Sequence, residues 1–376
     1  MSEKSLKIVH CFRSPVGGIF RHVRDLVDQQ SAAGHEVGIL CDSSTGGEFE
    51  DKLFEALAPK LSLGIKRIPM RRSISPNDLF TVWKAYKEIK KLQPDVLHSH
   101  SAKGGAYARI IGSLLRVSGS CVARLYCPHG GSIHFDGKSL KGRVFFTLER
   151  FLERMTDRLV FVSKYELDGY IEKVGKPRCP TSLVYNGLSK EEFLPVKSIK
   201  NAADFLFIGM MRDLKGPDVF LDALALLQKA DGNGPTAHFV GDGPDKDKYI
   251  QQIKDLGLSD KVTVHDAMPA RKAFAMANHV VVPSRAESMP YIVLEAMAAC
   301  CPIICTNVGG LPEIFDTEPE VLVEAGNASA LSKAMGDMLA DKSAKKAAKS
   351  RQVAIKKRFS VNIMAEDVMK AYRASI

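Results

Sequence analysis

Long apolar runs are missing from these 376 residues. No stretch approaches the ~18 residues needed to cross a bilayer. The first apolar stretch, Ile8-Val9-His10-Cys11-Phe12, is too short for a signal peptide. The eight cysteines include no C-x-x-C pair. Cys300, Cys301 and Cys305 lie close together, but no His or Cys stands at zinc spacing beside them, so they read as small buried hydrophobes in a reducing cytoplasm. There is one tryptophan, and the aromatics do not interleave with the basic runs as stacking platforms for nucleic acid would. Nucleic acid is therefore not an expected partner. What is present is 45% hydrophobic and 26% charged residues, a soluble globular composition, in a chain long enough for two domains.

Charge is unevenly spread. Residues 1–200 carry about +11, residues 201–340 about −8 and residues 341–376 about +7, which together make the chain's +10. Nine basic residues, Arg72 among them, fall between Lys60 and Lys91 against Asp78 and Glu88. Within that span, Leu79, Val82, Trp83, Tyr86 and Ile89 share one helical face. Two readings fit: a basic amphipathic helix lying on an anionic membrane through residues 60–91, or a core-facing helix with solvated lysines. Lys141–Arg158 repeats the pattern with Phe145, Phe146, Leu148, Phe151 and Leu152, and there the core reading leads. The expected location is cytoplasmic, with peripheral attachment to the inner face of the membrane on the first reading.

Short β-branched runs alternate with longer amphipathic ones, the pattern of doubly wound parallel sheets. Leu6–His10, His35–Cys41, Asp95–His98, Arg158–Ser163 and Thr181–Tyr185 read as strands of one series. The cycle restarts at Phe205–Gly209 and continues through Ala237–Gly241, Val262–His265, Val280–Pro283 and Pro302–Cys305. The break falls in the polar stretch Leu188–Asn201, which gives domains 1–195 and 196–356. Lys357–Ile376 reads as a terminal helix that either belongs to the second domain or returns across the junction. Ligands of such sheets bind at the carboxyl ends of the strands, so two facing domains predict a cleft between them.

The strongest local signal is Pro283-Ser284-Arg285-Ala286-Glu287-Ser288-Met289-Pro290-Tyr291-Ile292-Val293-Leu294-Glu295-Ala296-Met297-Ala298. Pro290 suits a first helical turn, which places Glu287 in a loop and Glu295 on the helix, on the order of 10 Å apart at most. A carboxylate accepts two hydrogen bonds and suits a vicinal diol, while the positive helix N-terminus between the two suits a diphosphate. A second signal is Gly209-Met210-Met211-Arg212-Asp213-Leu214-Lys215-Gly216-Pro217. Cations at a helix start oppose the dipole and call for an anion. Arg212 can fork onto phosphate oxygens and Lys215 adds a point charge. A third is Gly17-Gly18 after the first strand, followed by Arg21 and His22, where the backbone can approach a ligand. It is not G-x-G-x-x-G, so a dinucleotide reading is weak. A fourth is Pro128-His129-Gly130-Gly131, a loop that opens around His129.

With these residues the chain resembles glycosyltransferase family 4, which has the GT-B fold of two facing Rossmann-like domains. Glu287 and Glu295 match the family's E-x7-E element. The resemblance implies that Glu287 holds donor-sugar hydroxyls and Glu295 the ribose. Ser288, Met289, Pro290 and Leu294 belong to the same donor element. It implies that Arg212 and Lys215 stabilise the leaving diphosphate, that Gly17 and Gly18 face donor phosphates or acceptor, and that His129 contacts the transferred sugar. Gly241-Asp242-Gly243-Pro244 matches a turn near the base, with Gly243 in the donor set. Val162-Ser163-Lys164, Tyr185-Asn186-Gly187 and Asn307-Val308-Gly309-Gly310-Leu311-Pro312-Glu313 match further strand-end loops. The match is denser in the second half, and residues 45–90 show little of it.

Such enzymes retain anomeric configuration and are thought to react on the donor's front face. The resemblance thus implies a retaining hexosyltransferase acting on a saccharide or lipid-linked acceptor, as in bacterial polysaccharide, lipopolysaccharide or glycolipid assembly. A glycosidase would need both carboxylates at the scissile bond, whereas Glu295 belongs at the nucleotide. No D-x-D motif sits in a suitable loop, so metal-independent transfer without a cofactor is expected. An epimerase of the same fold, or a non-catalytic nucleotide-sugar-binding protein, would share the binding motifs.

Overall fold

The computed structural model describes residues 4–71, 73–231, 234–316, 318 and 321–376. Arg72 lies outside them. The chain divides into two compact units, Met1–Asn186 with Val361–Ile376, and Gly187–Ser360. In the first unit, strands β1 (Lys7–Phe12), β2 (Glu36–Asp42), β3 (Gly64–Ile68), β4 (Val96–His100), β5 (Ala123–Cys127), β6 (Arg158–Phe161) and β7 (Thr181–Leu183) form a sheet in the order β3-β2-β1-β4-β5-β6-β7. In the second, β8 (Ala203–Ile208), β9 (Ala237–Val240), β10 (Val262–His265), β11 (Ala277–Val282), β12 (Ile303–Thr306) and β13 (Leu322–Val323) run in the order β10-β9-β8-β11-β12-β13. The strand pairings are parallel in both. Each sheet is therefore a doubly wound Rossmann-like sheet, with its switch point between β1 and β4 or between β8 and β11.

Helices cover both faces, so the central strands are apolar throughout rather than alternating. Ile8, Val9, Cys11 and Phe12 of β1 are all buried. The helix Gly17–Ala32 turns Phe20, Val23, Leu26 and Val27 inward, and Gly34, at φ 85°, ends it. In the second unit Phe205, Phe207, Phe220 and Phe239 form the centre of the core, with the Phe207 and Phe239 rings stacked at 4.7 Å.

The units part between Asn186 and Gly187, ahead of residue 195. The reason is local: Arg271 donates to the carbonyls of Glu192 and Leu194, and Gln352 to that of Phe193. These bonds fasten the segment to the second unit. The final helix, Val361–Arg373, belongs to the first unit and buries Val368 and Tyr372 beside the helix Gly17–Ala32. Strands β3 and β5 do not stand out in the sequence because Arg67 and Arg124 interrupt them. Those charges are paired at their edges with Asp51 and Asp157.

The apolar face expected over Leu79–Leu92 divides. In the helix Asn77–Leu92, Val82, Tyr86 and Ile89 are core residues. Leu79, Phe80 and Trp83 are exposed, and the Lys87 ammonium lies 5.5 Å over the Trp83 ring. The helix Leu140–Leu152 likewise buries Phe146 and Leu152 and exposes Leu140, Val144 and Phe151. No helix among the described residues is long and apolar enough to cross a membrane.

Candidate active site

Four loops meet at the carboxyl edge of the second sheet, following the neighbouring strands β9, β8, β11 and β12. They lie backbone against backbone. A Cβ on Gly241 would overlap the Gly209 carbonyl oxygen and one on Gly243 that of Met211; one on Gly216 would overlap Pro283 O and one on Gly309 Glu287 O. Gly309 also has φ 59°, in the left-handed region. Hydrogen bonds stitch the same seams: Met211 N to Asp242 O at 2.9 Å, Arg285 N to Leu214 O at 2.9 Å, and Gly310 N to Glu287 O at 3.3 Å.

Glu287 stands at the centre, in the loop between β11 and the helix Tyr291–Ala298, and is buried. Its Oε1 accepts from Lys215 Nζ at 2.6 Å and from Ser284 Oγ at 2.7 Å. Thr306 Oγ1 donates to Ser284 O at 2.6 Å. Lys215 thus finds its anion within the protein, in Glu287. Arg212, at the extended residue before the short 3-10 turn Asp213–Lys215, keeps a buried Nε without a hydrogen-bond partner. Arg285 does not face this group. It forks onto Asp218 at 2.9 and 2.5 Å and fixes the loop from outside.

The expected donor residues fall as follows. Pro290 precedes the first turn of Tyr291–Ala298 in extended conformation, with no side-chain cap on the helix. Met289 and Leu294 are buried, while Ser288 and Glu295 are partly exposed. The structure therefore brings Arg212, Lys215, Glu287, Ser288 and the uncapped helix start to one edge of one sheet, with Gly243 packed directly behind Met211.

In the first unit Gly17 and Gly18 are exposed at the start of their helix, after Val16, which offers no side-chain cap. His129 lies in the loop after β5 with φ 51°. The Glu166 carboxylate holds this loop by accepting from Gly130 N, and it also accepts from Val162 N at 2.9 Å. Burial pushes the His129 pKa down to about 3, so the ring is neutral. Its Nε2 meets His100 Nδ1 at 3.0 Å, and its ring lies 4.8 Å from that of His22, edge to face. His22 in turn bonds Asn186 at 3.1 Å. Ser163 caps the helix Lys164–Lys173.

Sequence reasoning missed Ser284 and Thr306, and also His10, His98, His100 and Tyr372, which lie behind His129. Ser284 was within the quoted motif. The histidines carried a weak signal in the spacing His98-x-His100, which puts both on one face of a strand.

A crystal structure of Anabaena HepE in complex with UDP and glucose has the same fold, with TM-score 0.79 and 17% identity over 99% of this chain and 100% of that one. The two sheets and their switch-point loops thus have the GT-B fold. Residues 16–192 match Glycosyltransferase Family 4 and residues 189–357 match Glycosyl transferases group 1, so a glycosyltransferase domain is matched in each half of the chain. An uncharacterized glycosyltransferase of Methanocaldococcus jannaschii is 26% identical over 369 residues, covering 95% of this chain and 94% of its own. A protein of the cps region of Klebsiella pneumoniae is 24% identical over 82% of this chain and 83% of its own.

The loop seams make a steric prediction. Gly309→Ala forces both a left-handed Cβ and a backbone overlap, whereas Gly257→Ala, at φ 67° with nothing within 4 Å, incurs only the first. Thermal unfolding of the two variants should show a loss of about 1 kcal/mol for Gly257→Ala and a clearly larger one for Gly309→Ala. Equal losses would mean that the loop after β12 is free to move away from Glu287.

Proposed function

We propose that this enzyme is a retaining, metal-independent hexosyltransferase. It moves a sugar from a nucleotide-diphosphate sugar to a saccharide or lipid-linked acceptor in surface-polysaccharide or glycolipid synthesis. The observation that carries the donor reading is the buried, unpartnered Arg212 Nε beside the Lys215–Glu287 pair, next to an uncapped helix start. That set offers a fork and a point charge for a diphosphate, peptide N–H groups for its oxygens, and a carboxylate with one oxygen unclaimed by Lys215 and Ser284 for sugar hydroxyls. The UDP and glucose held by HepE, and the cps-region relative, support the donor class and the pathway.

In the proposed reaction the bond between the anomeric carbon and the diphosphate oxygen breaks as the acceptor oxygen attacks from the same face. The departing phosphate takes the acceptor's proton. Negative charge grows on the leaving group, where Arg212 and Lys215 stabilise it more in the transition state than in the bound donor. Glu287 orients the sugar and Glu295 the ribose.

Substitutions separate these roles. Glu287→Ala should reduce transfer by at least about 100-fold with the protein still folded by circular dichroism. Arg212→Ala should lower kcat more than donor affinity. Glu295→Ala should weaken binding of the nucleoside diphosphate by about tenfold, the value of one charged hydrogen bond. Unchanged nucleotide affinity in Glu295→Ala would refute the ribose assignment.

Attachment to an anionic membrane is proposed through the exposed Leu79, Phe80 and Trp83 and the lysines around them. Flotation with anionic vesicles at low salt should carry the enzyme upward, less so for Trp83→Ala and less at high salt. Absence of binding at low salt would end this reading.

A further inference from the structure

Behind His129, the first sheet holds three more histidines on one face at its switch point. His98 and His100 are two residues apart on β4, and His10 on the adjacent β1 is in register with His98. All three side chains are fully buried. The ring centroids lie 5.5 Å apart for His10 and His98, 5.4 Å for His10 and His100, and 4.2 Å for His98 and His100. One ring nitrogen from each falls within 4.8 Å of the other two, and His10 Nδ1 and His100 Nε2 are 3.1 Å apart.

The outward nitrogens are all occupied. His10 Nε2 meets Gln30 Oε1 at 2.9 Å, His98 Nδ1 meets the Tyr372 hydroxyl at 2.7 Å, and His100 Nδ1 meets His129 Nε2 at 3.0 Å. Gln30 also donates to Tyr372 at 3.2 Å, which joins two of these supports. This leaves His98 Nε2 buried without a partner, a costly state for a polar atom. Convergent ring nitrogens, each steadied by a hydrogen bond on its far side, are the arrangement of metal-ligating histidines. Burial keeps all three rings neutral, with His10 held down to about 4 and His98 and His100 well below their ordinary value. Neutral imidazole is the form that binds metal.

We propose that His10, His98 and His100 form a three-histidine site for a late first-row divalent cation of the zinc type. Imidazole ligands without a carboxylate or thiolate favour zinc, cobalt, nickel or copper over magnesium, calcium or manganese, and three histidines are an established zinc donor set. The site is structural with respect to sugar transfer. Through Gln30 and Tyr372 it ties the sheet to the helices Gly17–Ala32 and Val361–Arg373. A cation on His100 Nε2 leaves the hydrogen on Nδ1, to be donated to His129 Nε2. That fixes the hydrogen of neutral His129 on Nδ1.

The test is titration of the full chain, stripped with EDTA and dialysed, with zinc by calorimetry and with cobalt by visible absorption. One ion per chain and the intense visible bands of tetrahedral cobalt are expected. His98→Ala should weaken zinc at least about 100-fold and Tyr372→Phe about 10- to 100-fold. Tyr372→Phe keeps the ligands and serves if His98→Ala does not fold. His22→Ala should leave affinity unchanged, since His22 belongs to a different histidine group with His100 and His129. Replacing His238 and His265, the bonded pair in the second unit, should also change nothing. Failure to bind one zinc per chain, affinity unchanged in both His98→Ala and Tyr372→Phe, or loss of binding with His22→Ala or with the His238/His265 replacement would overturn the proposal.

Discussion

The carboxylate of Glu287 is positioned by backbone packing that leaves no room for side chains. Its loop is closed on one side by Gly216 against Pro283 and on the other by Gly309 against its own carbonyl. Lys215 and Ser284 then take one of its oxygens. The Lys215 bond and both glycine seams join loops from different strands, while Ser284 braces Glu287 from within its own loop, so the charge pair and the seams define a single object. Loops at the carboxyl end of a parallel sheet are free to vary in sequence. Here they are locked to one another, which suits a site that must meet a diphosphate and a sugar with fixed dipoles rather than mobile ones.

The first unit solves a different problem. Its switch point is lined with imidazoles rather than with charges, and burial keeps them neutral. His129 is therefore a polar ring of fixed position, held by His100 behind it and by the Glu166 clasp on its loop. A charge there would be poorly solvated, while a neutral ring can still accept or donate. The two units have the same strand order around their switch points, yet one offers cations with a carboxylate and the other a nitrogen-rich core. That asymmetry follows from side chains at a handful of strand ends, not from the fold.

Much of this was legible in the sequence because it was local. Five strands of each series showed as β-branched runs, and Arg212, Lys215, Glu287 and Glu295 lay in motifs a few residues long. Pairings between distant segments were not legible. Nothing in the chain announces that Lys215 meets Glu287 rather than a ligand, 72 residues away. The helix Asn77–Leu92 shows the limit of periodicity. One apolar stripe was visible, but Val82, Tyr86 and Ile89 face the core while Leu79 and Trp83 do not, and only the neighbouring strands decide where the stripe divides. Arg67 and Arg124 hid two strands because their charges are matched by Asp51 and Asp157 from other segments. The histidines escaped notice for the same reason, since His10 and His98 become neighbours only through strand pairing.

The central claim is that the loops after β8 and β11 hold a nucleoside diphosphate. A crystal structure of the protein with UDP bound tests it most directly. The account predicts diphosphate oxygens within hydrogen-bonding distance of Arg212 and Lys215, at the start of the helix Tyr291–Ala298, with the ribose hydroxyls on Glu295. A nucleotide seated elsewhere on the second sheet, with Arg212 and Lys215 turned away from it, would contradict the account.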